Sequence, residues 1–181
     1  RCMIGLSAFS KTTENLLRTK ECVLNLPSQH MANAVDRLAL TTGSDPVPEG
    51  KLKKGYRFER SKFEIAGLTP VASDKVRADK VLECPVQMEA KLIQCYPVAD
   101  DEPIQRGRIL TMELRILRVH LEETILSNGS RNRVDPDRWR PLIMSFQKFY
   151  GLSAQVHTSQ LSTIPEELYK TKDMETAKAE L

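Results

Sequence analysis

The sequence predicts a mainly β domain, a small antiparallel barrel with peripheral helices. Two long segments alternate with period two. In the first, Val86, Met88, Ala90 and Leu92 interleave with Gln87, Glu89 and Lys91; in the second, Leu110, Met112, Leu114 and Ile116 interleave with Thr111, Glu113 and Arg115. The other apolar runs are short and bounded by turn residues, as in barrels and sandwiches. No G-x-G-x-x-G follows any strand-like run and no helical pattern is long, which argues against a doubly wound sheet.

Cys2 to Ser7 reads as the first strand, followed by the polar turn Ala8-Phe9-Ser10-Lys11. Thr12 or Thr13 is placed to cap a short helix, with Glu14 at its positive start and Arg18 and Lys20 near its negative end. Glu21 to Leu26 is a second strand, stopped by Pro27. Ser28 then opens a helix with Met31, Val35 and Leu38 on one face. From Thr41 to Gly67, five Gly and Pro residues break any long element, so this stretch is read as a surface excursion and candidate lid. Within it, Lys62 to Ala66 is a helical turn capped by Ser61 and ended by Gly67. The two alternating segments form a hairpin across the polar connection Ala99 to Gly107. A further strand is expected from Val119 to Leu126, ending at the turn Asn128-Gly129, and a helix start at Asp135-Pro136. The stretch 164–181 is charged and helix-prone and reads as a tail, leaving 1–163 as the domain.

The chain has 181 residues, enough for one sizeable core. Hydrophobic residues make up 40% and charged residues 28%, the balance of an ordinary globular protein. No apolar run reaches the roughly 18 residues of a spanning helix, and no leader pattern opens the chain; the expected setting is cytoplasmic, away from membranes. The net charge of +3 is far from the dense basic stripe of a nucleic-acid binder and suits a small anionic ligand. Cys2, Cys22, Cys84 and Cys95 are scattered without C-x-x-C spacing and read as reduced core thiols. Asn128-Gly129-Ser130 matches a glycosylation sequon, but Asn-Gly is a turn signal and nothing else suggests secretion.

The candidates for chemistry are few. The run from Gly43 to Lys51 is not a P-loop: six residues separate its glycines, two of them prolines, and Leu52 stands where a hydroxyl is required. His30, His120 and His157 have no i, i+4 partner, so no metal site is indicated, and no signature supports a Cys84–His120 nucleophile pair. Lys51, Lys53, Lys54, Arg57, Arg60 and Lys62 interleave with Tyr56 and Phe58 as nucleic-acid surfaces do, but Glu49, Glu59 and Glu64 dilute them into a solvated loop. The turn from Ser7 to Thr13 is the best site candidate. Hydroxyls, first-turn amides and a lysine converge there where a strand ends, which suits a phosphate; an ordinary capped helix start explains the same residues.

The ordered series is more specific than any of its parts. Met3-Ile4-Gly5-Leu6 runs into Thr12-Thr13-Glu14-Asn15-Leu16, then Glu21-Cys22-Val23-Leu24-Asn25-Leu26-Pro27-Ser28. Lys62-Phe63, Ala66-Gly67-Leu68-Thr69-Pro70, Glu83-Cys84-Pro85 and Ile116 to His120 follow, then Val134-Asp135-Pro136, Trp139-Arg140-Pro141-Leu142 and Phe149-Tyr150-Gly151-Leu152. From Met3 to about Leu152 this series resembles the flavin-reductase-like family, the FMN-binding split β-barrels.

The resemblance implies an antiparallel split barrel that acts as a homodimer, with FMN at the subunit interface. It places Ser10, Lys11 and Thr12 at the cofactor phosphate with Ser7 at the edge of that turn, Asn25 near the ring system, and Phe149 and Tyr150 in an aromatic segment that either approaches the flavin or packs in the core. It implies hydride transfer from NAD(P)H to the flavin, then delivery to an acceptor such as a partner oxygenase. An FMN-binding or cofactor-less barrel without turnover is the alternative. No catalytic side chain is named, because the cofactor carries the chemistry. The family also carries two strands and a small-residue motif ahead of the position of Met3: either the parent protein has them upstream of Arg1, or this chain has lost part of the site.

Overall fold

The computed structural model describes residues 1–128, 130, 133–169, 171, 172 and 176. Four strands make the central antiparallel sheet: β1 (Cys2–Ser7), β8 (Ile109–Leu121), β7 (Val86–Pro97) and β2 (Glu21–Leu26), in that spatial order. Helix α1 (Lys11–Thr19) connects the two edge strands, β1 and β2.

The long hairpin is the frame. Its register runs from Val86↔Leu121 to Pro97↔Leu110, with shifts at Glu89/Ala90 and Leu92/Gln94. Cys2, Leu114 and Leu92 share one rung, which puts the start of β1 beside the middle of the hairpin. On these strands Ala90, Leu92, Met112 and Leu114 are buried, and Leu16 of α1 completes the cluster, with Cys2, Ile4, Leu6, Cys22 and Leu24 packed around it. Met112 and Leu114 are wholly enclosed, each contributing about 1.5–3 kcal/mol by burial.

Several expectations change for identifiable reasons. The strand anticipated from Val119 to Leu126 is not separate: β8 continues through Leu121 because β7 pairs with it to the end, and a 3₁₀ turn, Glu123–Ile125, follows. Glu89, expected on the wet face, is wholly buried beside Ala90, because the register shift between them breaks the alternation. Helix α1 is capped by Ser10 rather than by Thr12 or Thr13, and it ends at Lys20 in the left-handed region, φ 60°. No helix follows Asp135-Pro136; Asp135 Oδ1 accepts from the amide of Asp137 at 2.9 Å and closes a local turn instead. The helix after Ser28 is a 3₁₀ turn, Gln29–Met31, running into the short α2 (Ala32–Asp36), and Ser28 makes no capping bond.

The excursion has structure of its own. It holds β3 (Thr41–Thr42), α3 (Glu49–Leu52), β4 (Arg57–Phe58) and α4 (Lys62–Ala66), with β3 and β4 paired in parallel. Gly67 ends α4 as expected, at φ 64°, where a side chain would be strained. Arg37, just past α2, donates to the carbonyl of Ala66 and ties the excursion down. Next, β5 (Pro70–Val71) pairs with β6 (Lys80–Val81), and β9 (Ile143–Ser145) with β10 (Lys148–Tyr150). The four cysteines are free thiols; burial pushes Cys22, with Cys2 nearby, and Cys84 each up to about 11. Gly129 of the expected Asn-Gly turn and residues 170, 173–175 and 177–181 of the tail lie outside the described residues; within the tail, Glu166–Tyr169 forms a 3₁₀ turn.

Candidate functional site

The Ser7–Thr13 turn is held by a compact set of bonds. Ser7's carbonyl accepts from the amide of Ser10 at 3.1 Å and from the hydroxyl of Thr13 at 2.7 Å. Ser10 Oγ accepts from the amide of Thr13 at 3.0 Å and donates to Thr13 Oγ1 at 2.9 Å. Thr13 is fully buried, so its hydroxyl is structural; Thr12 and Ser7 are exposed. With Thr13 and Glu14 bonded to Ser10, the amides of Lys11 and Thr12 have no intramolecular acceptor among the described residues. Two free amides at the positive end of α1, with exposed hydroxyls alongside, fit a phosphate group. Lys11 Nζ turns along the helix to Glu14 Oε1 at 2.5 Å, a solvent-screened contact that an anion at the helix start could draw away.

The remaining predicted residues are elsewhere on the sheet. Ser7 pairs with Ile109, whereas Asn25 pairs with Gln87, itself opposite His120. Along β8 that is a contour of about 35 Å at roughly 3.3 Å per residue. Asn25 Oδ1 accepts from the amide of Val81 at 2.9 Å and so anchors β6. Tyr150 is half exposed on β10, next to Gly151, which abuts Gln29 beyond the end of β2. One chain therefore gathers Ser7, Ser10, Lys11 and Thr12 and leaves Asn25 and Tyr150 apart from them.

Two groupings were not legible in the sequence. The first adjoins the turn: a methyl group on Gly43 would lie 3.3 Å from Lys11 Cγ, so the chain after β3 packs against the start of α1. There Lys62 Nζ donates to Thr41 Oγ1 at 2.6 Å and Lys51 Nζ to Thr42 Oγ1 at 3.0 Å, and both threonines are buried. Sequence showed the basic residues but could not show that two of them fold inward.

The second is centred on Glu89. Its carboxylate accepts from the amides of Asp74 at 2.9 Å and Lys75 at 2.5 Å and from His120 Nε2 at 2.6 Å. A carboxylate only accepts, so Nε2 donates to Glu89, and Lys80 Nζ lies against the same ring, 3.3 Å from Nε2 and 3.4 Å from Nδ1. Burial alone would raise the Glu89 carboxyl; the Asp74 amide, the His120 ring and the Lys75 amide outweigh it and hold the carboxyl at about 2. Asp74, Glu89 and His120 are close enough to share a metal ion, and Lys80 Nζ stands 3.8 Å from Asp74 Oδ1 beside them. These residues clamp the segment before β6 to the hairpin.

Residues 2–153 match the model of the flavin reductase like domain. An uncharacterised protein, YdfE, of Bacillus subtilis (strain 168) is 32% identical over 154 residues, 85% of this chain and 71% of that protein. Among solved structures, component B of nitrilotriacetate monooxygenase from Bacillus cereus superposes with a TM-score of 0.65 at 17% identity, covering 86% of this chain and 70% of that one. Flavoredoxin of Desulfovibrio vulgaris (Miyazaki F) gives 0.63 at 20% identity, with 87% and 74% covered. At such identities the structural likeness speaks to the fold: an antiparallel split barrel with few helices.

Proposed function

This chain belongs to the flavin reductase like family, and from that membership we propose that it is an FMN-binding oxidoreductase of the flavin-reductase type, passing hydride from NAD(P)H to flavin and on to an acceptor such as a partner oxygenase. The observation that carries the proposal is the pair of free amides at Lys11 and Thr12, set between exposed hydroxyls at the start of α1 within the matched region.

FMN, when bound, supplies the hydride-accepting ring and the route to the next acceptor. The chain's own residues do the holding. The Lys11 and Thr12 amides and the Thr12 and Ser7 hydroxyls take the phosphate, while Ser10, bonded to Thr13, keeps the helix start open toward it. Lys11 adds charge by leaving Glu14. Asn25 and Tyr150 are too far along the sheet to serve the phosphate of the same chain; in this proposal they meet the ring system across a homodimer. The exposed Met3 and Phe9 on either side of Ser7 support such an interface.

The test is flavin titration of the purified protein followed by NADH and NADPH oxidation. Uptake of FMN with accelerated oxidation of either nucleotide is expected. Uptake without turnover would reduce the assignment to a flavin-binding barrel, and failure to take up FMN would refute it.

A further inference from the structure

Residues 70–82 lie beside the open end of the hairpin without joining its sheet. Strands β5 and β6 pair only with each other, and among the described residues no backbone bond links the segment to the central sheet. Of its apolar side chains Val76 alone is buried, and Leu82 is 60% exposed. Its base is closed on itself. Both carboxylate oxygens of Glu83 accept from the Thr69 amide, at 3.1 and 3.0 Å, and the Thr69 carbonyl accepts from the Leu82 amide at 3.0 Å. A loop with joined ends and little apolar burial opens at low cost unless something else holds it.

Side chains of the sheet do the holding. Glu21 Oε2 accepts from the Arg77 amide at 3.1 Å and from its guanidinium at 3.2 Å, and Glu89 accepts from the amides of Asp74 and Lys75. Asn25 accepts from the Val81 amide while Gln87 Nε2 donates to the Val81 carbonyl at 2.8 Å, the pair of bonds that a neighbouring strand would make. Two carboxylates thus take three backbone amides, and such charge-assisted bonds are the strong ones. We infer that residues 70–82 form a latched strap, which opens as one unit from an intact sheet when Glu21 and Glu89 release its amides. Closed, the strap occupies the Asn25 carbonyl and the Gln87 amide and sets Lys80 against the His120 ring; open, it bares this rung of the sheet. Asn25, placed at the flavin ring in the proposal above, has its carbonyl free only in the open form. That consequence rests on the flavin-reductase reading; the strap itself does not.

The test is amide hydrogen exchange of the full chain, followed residue by residue by NMR at pH 7 through a series of sub-denaturing urea concentrations. Opening of the strap exposes little surface. Exchange at Asp74, Lys75, Arg77 and Val81 should therefore be at least about tenfold faster than in the middle of β7 and β8, and nearly flat in urea, whereas the hairpin amides depend steeply on it. Glu21→Gln keeps the shape of the side chain and removes its charge. It should speed all four strap amides together by about fivefold, including Asp74 and Lys75, whose amides bond to Glu89 and not to Glu21. Acceleration confined to Arg77 would overturn the inference, because the contacts would then open one by one. Strap amides that share the rate and urea slope of the hairpin would overturn it as well, since the segment would open only with the whole domain, and so would unchanged exchange in Glu21→Gln. No flavin enters the measurement, so its outcome is separate from that of flavin uptake.

Discussion

Replacing Glu89 with Gln removes the charge at the centre of the clamp between the 74–75 segment and the hairpin. The wild-type carboxyl is held at about 2 against an ordinary 4.5, which at about 1.4 kcal/mol per pH unit stabilises the fold by roughly 3 kcal/mol at neutral pH. Glu89 is wholly enclosed, so solvent screening takes little from that figure. Because the folded value is depressed, the stabilisation is complete above about pH 5 and is lost as pH falls through 4.5 toward 2. Denaturant unfolding at pH 7, 5, 4 and 3 should therefore show a gap between wild type and Glu89→Gln of about 3 kcal/mol at pH 7, shrinking to about half near pH 3. A gap that stays constant over this range would show that Glu89 is not held ionised by Asp74, Lys75 and His120, and the account of the clamp would fail.

Ser10→Ala deletes the cap of α1 and should cost about 1 kcal/mol in thermal unfolding, together with weaker FMN binding than the wild type; unchanged flavin affinity would detach the turn from the cofactor. Met112→Ala empties a fully buried position and should destabilise by about 2–5 kcal/mol in urea. Cys22 and Cys84, with thiols raised to about 11, should alkylate far more slowly in the native protein at pH 8 than after unfolding, as read by mass spectrometry.

The periodicity of 86–92 and 110–116 determined the hairpin, and short polar punctuation determined the edge strands, because a strand with one buried face writes its period into the chain. Cys2–Ser7 and Glu21–Leu26 were read with the bounds they have, and Gly67 marked the end of α4 because its left-handed backbone favours glycine. The helix start after Ser7 was likewise local, and with it the hydroxyl-rich turn. Tertiary structure decided what depends on contacts distant in sequence. The bulge at Glu89 put a charged side chain inside, where Asp74, Lys75 and His120, contributed by two other segments, made burial tolerable. Folding of the excursion turned two of its many lysines onto Thr41 and Thr42, and the sheet register set Asn25 a hairpin's length from the turn that opens α1. Local pattern records which face of an element is buried; which remote residue meets it is settled only when the sheet closes on its loops.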